Sequence, residues 1–394
     1  VGYLEEAEEL FDYTQALRRD FHLHPELGFK EVRTAGIVAR ELRELGLEVT
    51  TGVADTGVMA LLEGSSPGPV VMLRFDMDAL PIQEQTGAEY ASVHPGVMHA
   101  CGHDGHTAIG LAAARLLVAH RQELAGTVKL VFQPAEEGLG GAERMIAEGV
   151  LEQPRPDYCL GVHVWNDQPV GWLGIAPGPV MAAGEIFQVR VKGQGGHGAI
   201  PHLAVDPVVA SAHIITALQS IVSRNVSPLH TAVVSVTTMK AGDAFNVIPS
   251  EVTFSGTIRT FLPETRDLVL QRFHEVITGV ANSLGCEAEV DVQKLTPAVI
   301  NDAQITACVQ RVAADLLPGD TISQDCATMG SEDMAYFMRE IPGCFIFVGS
   351  RNEEEGLDAA HHHPRFDFDE RALPRAAALV AASAAGFLNA YGDL

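Results

Sequence analysis

Four short runs of almost purely apolar residues set the terms on which this chain can fold: Val70-Val71-Met72-Leu73-Arg74-Phe75, Val128 to Phe132, Tyr158 to Val164 and Phe345 to Gly349. Runs this short, with little polar alternation, are the mark of strands covered on both faces. Helical patterns stand between them, so they predict a mainly parallel sheet flanked by helices, an α/β domain. Polar residues follow three of the runs directly. Asp76 and Asp78 lie just beyond the first, Glu136 and Glu137 just beyond the second, and His163 at the end of the third. Open α/β sheets bind ligands outside the carboxyl ends of their strands, so this placement predicts one site along one edge.

The chain has 394 residues, more than one ordinary core holds, which favours two domains. From about Glu185 the pattern changes. Ile186 to Val191 alternates as a strand and Pro207 to Ser223 is helical, followed by strands at Ala232 to Thr238 and Val252 to Thr260. A helix from Arg266 to Leu284 and a strand from Glu287 to Val292 complete a β-α-β-β-α-β order. That order predicts a four-stranded antiparallel sheet with two helices on one face, a ferredoxin-like insert over residues 185–295. Residues 1–184 and 296–394 then form a discontinuous catalytic domain. Its opening is expected to be one helix from Leu4 to about Asp20, where apolar residues recur near a 3.6 period.

Lys plus Arg number 26 and Asp plus Glu 51, a formal charge of −25. This repels nucleic-acid phosphates and anionic lipid, so neither is an expected partner. No basic start followed by an apolar stretch opens the sequence, and no uninterrupted apolar run is long enough to span a bilayer; the expected compartment is the cytoplasm. Six scattered cysteines without a C-x-x-C pair fit reduced thiols.

The segment Met98-His99-Ala100-Cys101-Gly102-His103-Asp104-Gly105-His106 packs a thiol, three imidazoles and a carboxylate into nine positions. Thiolate and imidazole suit zinc and its nickel, cobalt and manganese relatives. The alternative is a helix-initiating loop with Cys101 as a small buried hydrophobe. In Gln133-Pro134-Ala135-Glu136-Glu137-Gly138 two carboxylates leave a strand together. Metal-assisted hydrolysis needs one carboxylate on the metal and a second that takes a proton from water and hands it to the leaving amine, and an adjacent pair can divide these roles. Capping of the next helix is the competing reading. His163 stands in an apolar strand, where a core role competes with ligation. The run His361-His362-His363-Pro364 is internal, and one of its histidines could complete a site.

Six segments in order resemble the metal-dependent amidohydrolases that include hippurate hydrolases, bacterial N-acyl-amino-acid amidohydrolases and plant auxin-conjugate hydrolases, a branch of a wider aminoacylase and carboxypeptidase superfamily. They are Arg74 to Pro81, Met98 to His106, Gln133 to Gly138, Gly195-Gly196-His197-Gly198-Ala199-Ile200-Pro201-His202, Phe245-Asn246-Val247-Ile248-Pro249 and His362-His363-Pro364. The similarity runs from about His22 to about Glu370. It implies a zinc-peptidase-like catalytic domain with two divalent metal ions (zinc, manganese, cobalt or nickel) held by Cys101, His103, Glu137, His163 and His362. Glu136 is then general base and acid. His197, Asn246 and Arg259 resemble residues that contact the substrate's carbonyl, amide and carboxylate, against the alternatives of a glycine-rich turn for His197 and a solvated strand edge for Arg259. Where the wider superfamily carries a ligand histidine two residues before Asp76, this chain has Arg74, a departure that the amidohydrolase branch shares. Asp76 is left as a carboxylate that orients a ligand imidazole.

The implied reaction is hydrolysis of an N-acyl amino acid to a carboxylate and a free amino acid. The insert serves as lid and dimerisation domain in a homodimer or higher oligomer, and in some relatives the corresponding histidine comes from the partner subunit. An N-acetyl-diamino-acid deacetylase or a dipeptidase would use the same chemistry. Different in class are a cysteine hydrolase with Cys101 as nucleophile and a binding protein without catalysis.

Overall fold

A computed structural model describes residues 2–389. The chain divides into two compact units, one made of Met181–Val299 with Thr328–Glu332 and the other of the remaining described residues. The smaller unit starts a few residues before, and ends a few after, the expected 185–295. It takes in the short return because Ala182 N–H donates to the Gly330 carbonyl at 2.8 Å and Met181 bridges Thr328.

In the larger unit an eight-stranded mixed sheet runs in the order Glu48–Val53, Gly57–Glu63, Ala125–Gln133, Ser66–Asp76, Tyr158–Pro169, Gly343–Arg351, Trp172–Gly174, Thr321–Ser323. Its four central strands are parallel, and they contain the four apolar runs. Burial on both faces explains those runs, since a strand sandwiched between helices has no solvent side. Helices His103–Ala119 and Ala372–Asn389 both pack on Ser66–Asp76. A Cβ on Gly110 would come within 2.6 Å of Phe75 and 2.7 Å of Phe132, so the glycine lets this ring pair press against the first helix. Ala372–Asn389 is, among the described residues, the one helix long and apolar enough to cross a membrane by length and composition, and it is mostly buried. Its apolar surface is taken up by the core.

The smaller unit has a four-stranded antiparallel sheet in the order Ala232–Ala241, Glu251–Thr260, Ala183–Lys192, Glu287–Thr296. Helices Pro207–Ser220 and Pro263–Ser283 cover one face, where Phe187, Val189 and Phe254 meet Ile214, Leu218 and Phe273. Along Ala183–Lys192 the burial alternates after Glu185, so the other face of this sheet is open within the unit.

The opening helix is two, Tyr3–Glu9 and Phe11–Leu23, with a break at Leu10. The break lets the first piece pack chiefly on Ala372–Asn389 and the second on His103–Ala119. The second piece also carries a fully buried cation. Arg18 donates to Asp104 at 2.8 Å, Asp367 at 2.7 Å and Glu370 at 3.1 Å. One turn on, His22 lies 2.7 Å from Asp104 and 3.3 Å from Glu84. Burial opposes its charge, but Asp104 and then Glu84 push its pKa up from 6.5 to about 9. A raised pKa means that this stabilisation is fully present below the ordinary value of 6.5 and disappears as pH rises through about 9. His22→Gln is therefore expected to lower the melting temperature most near pH 6, with the gap to the unaltered protein closing towards pH 10. A gap that stays constant across that range would show that His22 carries no charge in the fold.

Candidate metal centre and active site

Two of the central strands, Ser66–Asp76 and Ala125–Gln133, end level with one another, since Asp76 pairs with Gln133 at the last position of each. Tyr158–Pro169 pairs with Ser66–Asp76 only as far as Arg74 opposite Gly161. His163 lies just past that point, with one flank released from pairing. It is not at the end of its strand as the apolar run suggested: the strand continues to Pro169 because its other flank stays paired with Gly343–Arg351, His163 opposite Phe347.

Into this open edge runs the loop that ends in the helix His103–Ala119. Gly102 has φ +90°, and a Cβ there would sit 2.4 Å from Val164, so only glycine passes between Cys101 and His103. Cys101 Sγ lies 3.6 Å from His163 Nε2, while His163 Nδ1 donates to the Val164 carbonyl at 2.6 Å. That bond fixes the tautomer and leaves the Nε2 lone pair facing the thiol. His103 Nδ1 is 2.9 Å from the Asp78 carbonyl and 3.2 Å from its carboxylate. Its Nε2 is buried without a hydrogen-bond partner. The other Asp78 oxygen accepts from Glu137 N–H at 3.0 Å. His362 reaches the same edge through a positive φ of 65°; its N–H donates to the Ala100 carbonyl at 2.7 Å, and its Nε2 is 3.2 Å from Glu137 Oε1.

Three overlapping donor triplets result: Cys101, His103 and His163; Cys101, Glu137 and His362; His103, Glu136 and Glu137. Within each, the donor atoms lie within 4.8 Å of one another. All five expected ligands and Glu136 thus share one constellation. Burial and then Glu137 raise the Cys101 thiol, with His103 and His362 opposing. Burial opposes charge on His103, yet Asp76, Asp78 and Cys101 hold its pKa well above the ordinary value. Cys101 and then Glu137 bring His362 up to about 10. His163 is the exception, driven well below its usual range by burial and by His106 and His361. A pocket of soft and hard anionic donors that draws protons onto its imidazoles, around an orphaned buried ring nitrogen, fits divalent cations, which replace those protons.

Other candidates are spent elsewhere. Asp76 comes no closer than 3.8 Å to His103 Nε2; it accepts instead from His106 Nδ1 at 2.6 Å and from Arg74 at 2.7 Å. His106 Nε2 in turn accepts from Val164 N–H at 2.9 Å, so both its nitrogens are engaged although Asp76, His103 and His106 lie close enough to form a fourth triplet. His361 stacks on Trp165 with centroids 5.1 Å apart and accepts from Asn166 N–H; His363 accepts from Arg365 N–H. Sequence reasoning assigned no role to Asp78, whose one carboxylate and carbonyl address both His103 and Glu137. Its signal was the Asp-x-Asp spacing with Asp76. Nor did it find Asp333, whose N–H donates to Glu136 Oε1 at 3.2 Å.

In the smaller unit His197 and Asn246 come together. Gly196–His197 pairs with Val247–Ile248, Gly198 N–H donates to the Asn246 carbonyl at 2.8 Å, and both residues line an open groove of about 910 Å³ with Lys240, Glu251 and Thr253. Arg259 is apart from them. It stands half-buried near the far end of Glu251–Thr260, opposite Gly184, on the order of 20 Å from Thr253 at the usual rise of a strand.

Residues 72–385 match the model of peptidase family M20/M25/M40. This chain belongs to the M20 family. The M20 chain is 43% identical to an N-acetylcysteine deacetylase of Bacillus subtilis over 91% of its own length and 92% of the relative's. It is 42% identical to IAA-amino acid hydrolase ILR1-like 5 of Arabidopsis thaliana, with 98% and 89% covered. Its fold superposes on that of the Bacillus subtilis YxeP protein, described as a dinuclear metal binding peptidase of the M20 family, with a TM-score of 0.85 and 37% identity over 97% and 99% of the two chains. It is accordingly a metal-dependent hydrolase of amide bonds with a dinuclear site. Cys101→Ala is expected to lower the metal-to-protein ratio measured by atomic emission after dialysis; an unchanged ratio removes Cys101 from the ligand set.

Proposed function

We propose that this hydrolase cleaves N-acyl amino acids, hippurate-like, N-acetyl or related conjugates, to a carboxylate and a free amino acid, with Glu136 as the proton carrier. The observation that carries the reading is the position of Glu136 in the constellation. It shares a donor triplet with His103 and Glu137, is nearly buried, and is steadied by the Asp333 N–H. Cys101, His103, Glu137, His163 and His362 would hold the two metal ions, which supply a Lewis acid for the amide carbonyl and make water easier to deprotonate. Glu136 takes the proton as water attacks the carbonyl carbon, then delivers it to the amide nitrogen as the C–N bond breaks. Asp78 keeps His103 and Glu137 in place throughout.

The names of the relatives, which act on N-acetylcysteine and on IAA-amino acid conjugates, support the substrate class. Arg259 would hold the substrate carboxylate, and His197 and Asn246 the carbonyl and amide. The separation of Arg259 from the other two within one unit exceeds the reach of so small a substrate. This supports a homodimer in which Arg259 of one chain and His197 and Asn246 of the other meet the same molecule. The raised pKa of the Cys101 thiol argues against a cysteine nucleophile, which needs a depressed one.

Glu136→Gln is expected to keep its metal and to lose about 10²- to 10⁴-fold in turnover, assayed against hippurate, N-acetyl amino acids and indole-acetyl conjugates. Retention of a tenth or more of the rate would exclude Glu136 as the proton carrier, and no turnover of any of these substrates by the unaltered, metal-loaded enzyme would exclude the substrate class.

A further inference from the structure

Gly184 is a glycine inside the strand that pairs with Arg259, and nothing in its backbone requires one: it is not among the residues of positive φ. Glycine weakens a strand interior, and where it persists it marks a bulge or a close approach. Gly184 pairs in register with Arg259 on one side. On the other it faces Thr296, across a register shift. A Cβ built on it would meet Arg259 Nη1 at 2.7 Å, Arg259 Cζ at 3.2 Å and Ser331 Oγ at 3.3 Å. These neighbours are polar side-chain atoms and the guanidinium carbon. Gly161 and Gly105 of the larger unit differ in this respect, with Phe345 filling the space beside the first and Phe368 that beside the second.

The Nη1 end of the guanidinium therefore occupies the space that a side chain at position 184 would fill. Its hydrogen bond is a long one, from Nη1 to the Ile258 carbonyl at 3.3 Å, and no carboxylate lies within ion-pair distance of it among the described residues. Glu185, next along the strand, points to the helix-covered face, where it pairs with Arg266. Burial lowers the pKa of Arg259 and Glu185 only partly offsets this. A half-buried cation without an anion, seated in the space beside a glycine, keeps N–H donors at its edge for a carboxylate.

We propose that Gly184 is a specificity-determining position of this enzyme, its absent side chain leaving the space in which the Arg259 guanidinium sits to receive the substrate's α-carboxylate. The inference rests on the reading of Arg259 as the carboxylate contact, and it adds the residue that sets the orientation of that contact. A methyl group at position 184 lifts the guanidinium off the strand and tilts its fork, while the backbone accepts alanine without strain.

Hippurate and N-benzoylglycinamide test this, since both present the same scissile bond and only the first a carboxylate. Gly184→Ala in the metal-loaded enzyme is expected to raise KM for hippurate about tenfold or more, the weight of one charge-assisted hydrogen bond, and to leave kcat/KM for the amide within about twofold. Calorimetric binding of hippurate to the Glu136→Gln protein should weaken in parallel. Arg259→Gln should abolish the preference for hippurate, and Gly184→Ala added to it should cost nothing more, because the two act through one contact. No change in the hippurate KM of Gly184→Ala, or an equal loss on both compounds, would overturn the role of Gly184. An Arg259→Gln enzyme that keeps its preference for hippurate would instead overturn the reading of Arg259 beneath it.

Discussion

Arg74 is the charge around which the active edge is assembled. Its guanidinium is buried, and each of its nitrogens has a partner: Nε on Gln133 at 2.7 Å, Nη1 on Asp76 at 2.7 Å and Nη2 on Asp333 at 2.9 Å. Asp76 and Gln133 are the paired last residues of neighbouring strands, so the fork fixes the level at which both strands stop. Asp76 passes the constraint to His106 and thence to the Val164 N–H, which places the next strand and His163 on it. Asp333 passes it to Gln133, to the Ala142 N–H and, through its own N–H, to Glu136. A neutral side chain at position 74 would leave two buried carboxylates without their cation, a loss of several kcal/mol. It would also loosen His163 and Glu136 together. The Arg74 cation is consumed inside the protein, bonded to Gln133, Asp76 and Asp333, so position 74 contributes structure to the edge while Cys101 and His103 reach it from a separate loop.

A second buried guanidinium plays the same part on the far side of that loop. Arg18 joins the N-terminal helix to Asp104, in the first turn of the helix that His103 begins, and to Asp367 and Glu370, just after His362. The two segments that bring Cys101, His103 and His362 to the edge are thereby tied to one residue. The outcome is a site whose anions are fixed from behind, by backbone N–H groups and buried cations, with their remaining valence turned towards the imidazoles. The raised pKa values of His103 and His362 express that arrangement.

Much of this was legible in the sequence, because burial on two faces leaves an apolar run and because ligands follow strand ends. Glu136, Glu137 and His163 could be read towards one edge for that reason, whereas the joining of Cys101, His103 and His362 to them rested on the resemblance of six ordered segments. What could not be read depends on register and backbone conformation. The strand through His163 runs on across Asn166, Asp167 and Gln168, residues that look like a loop, because the parallel neighbour, paired up to Trp165, is met again at Pro169 after a register shift. Three consecutive histidines are equivalent by chemistry alone, and within the fold the positive φ of His362 and the stacking of His361 on Trp165 separate them. Asp333 lies some two hundred residues from Glu136, and nothing local marks it. Leu10 ends a helix whose apolar period continues through it, because two different helices must be met by the two halves.

The net charge of −25 bears on which anions such a protein can take. A polyanion interacts over many Debye lengths of surface, and at physiological salt, where that length is about 8 Å, a broadly acidic exterior repels it. A single carboxylate feels chiefly what it touches. Beside Arg259, partial burial reduces the screening that weakens surface pairs, and Glu185, the acid that acts on its charge, is already bound to Arg266 on the opposite face. An acidic exterior and a site for a small anion are therefore compatible, provided that the cation serving the site is kept from the protein's own carboxylates. In the sheet of the smaller unit the strand's alternation does this: Glu185 and Arg259 stand one register apart, so their side chains leave by opposite faces.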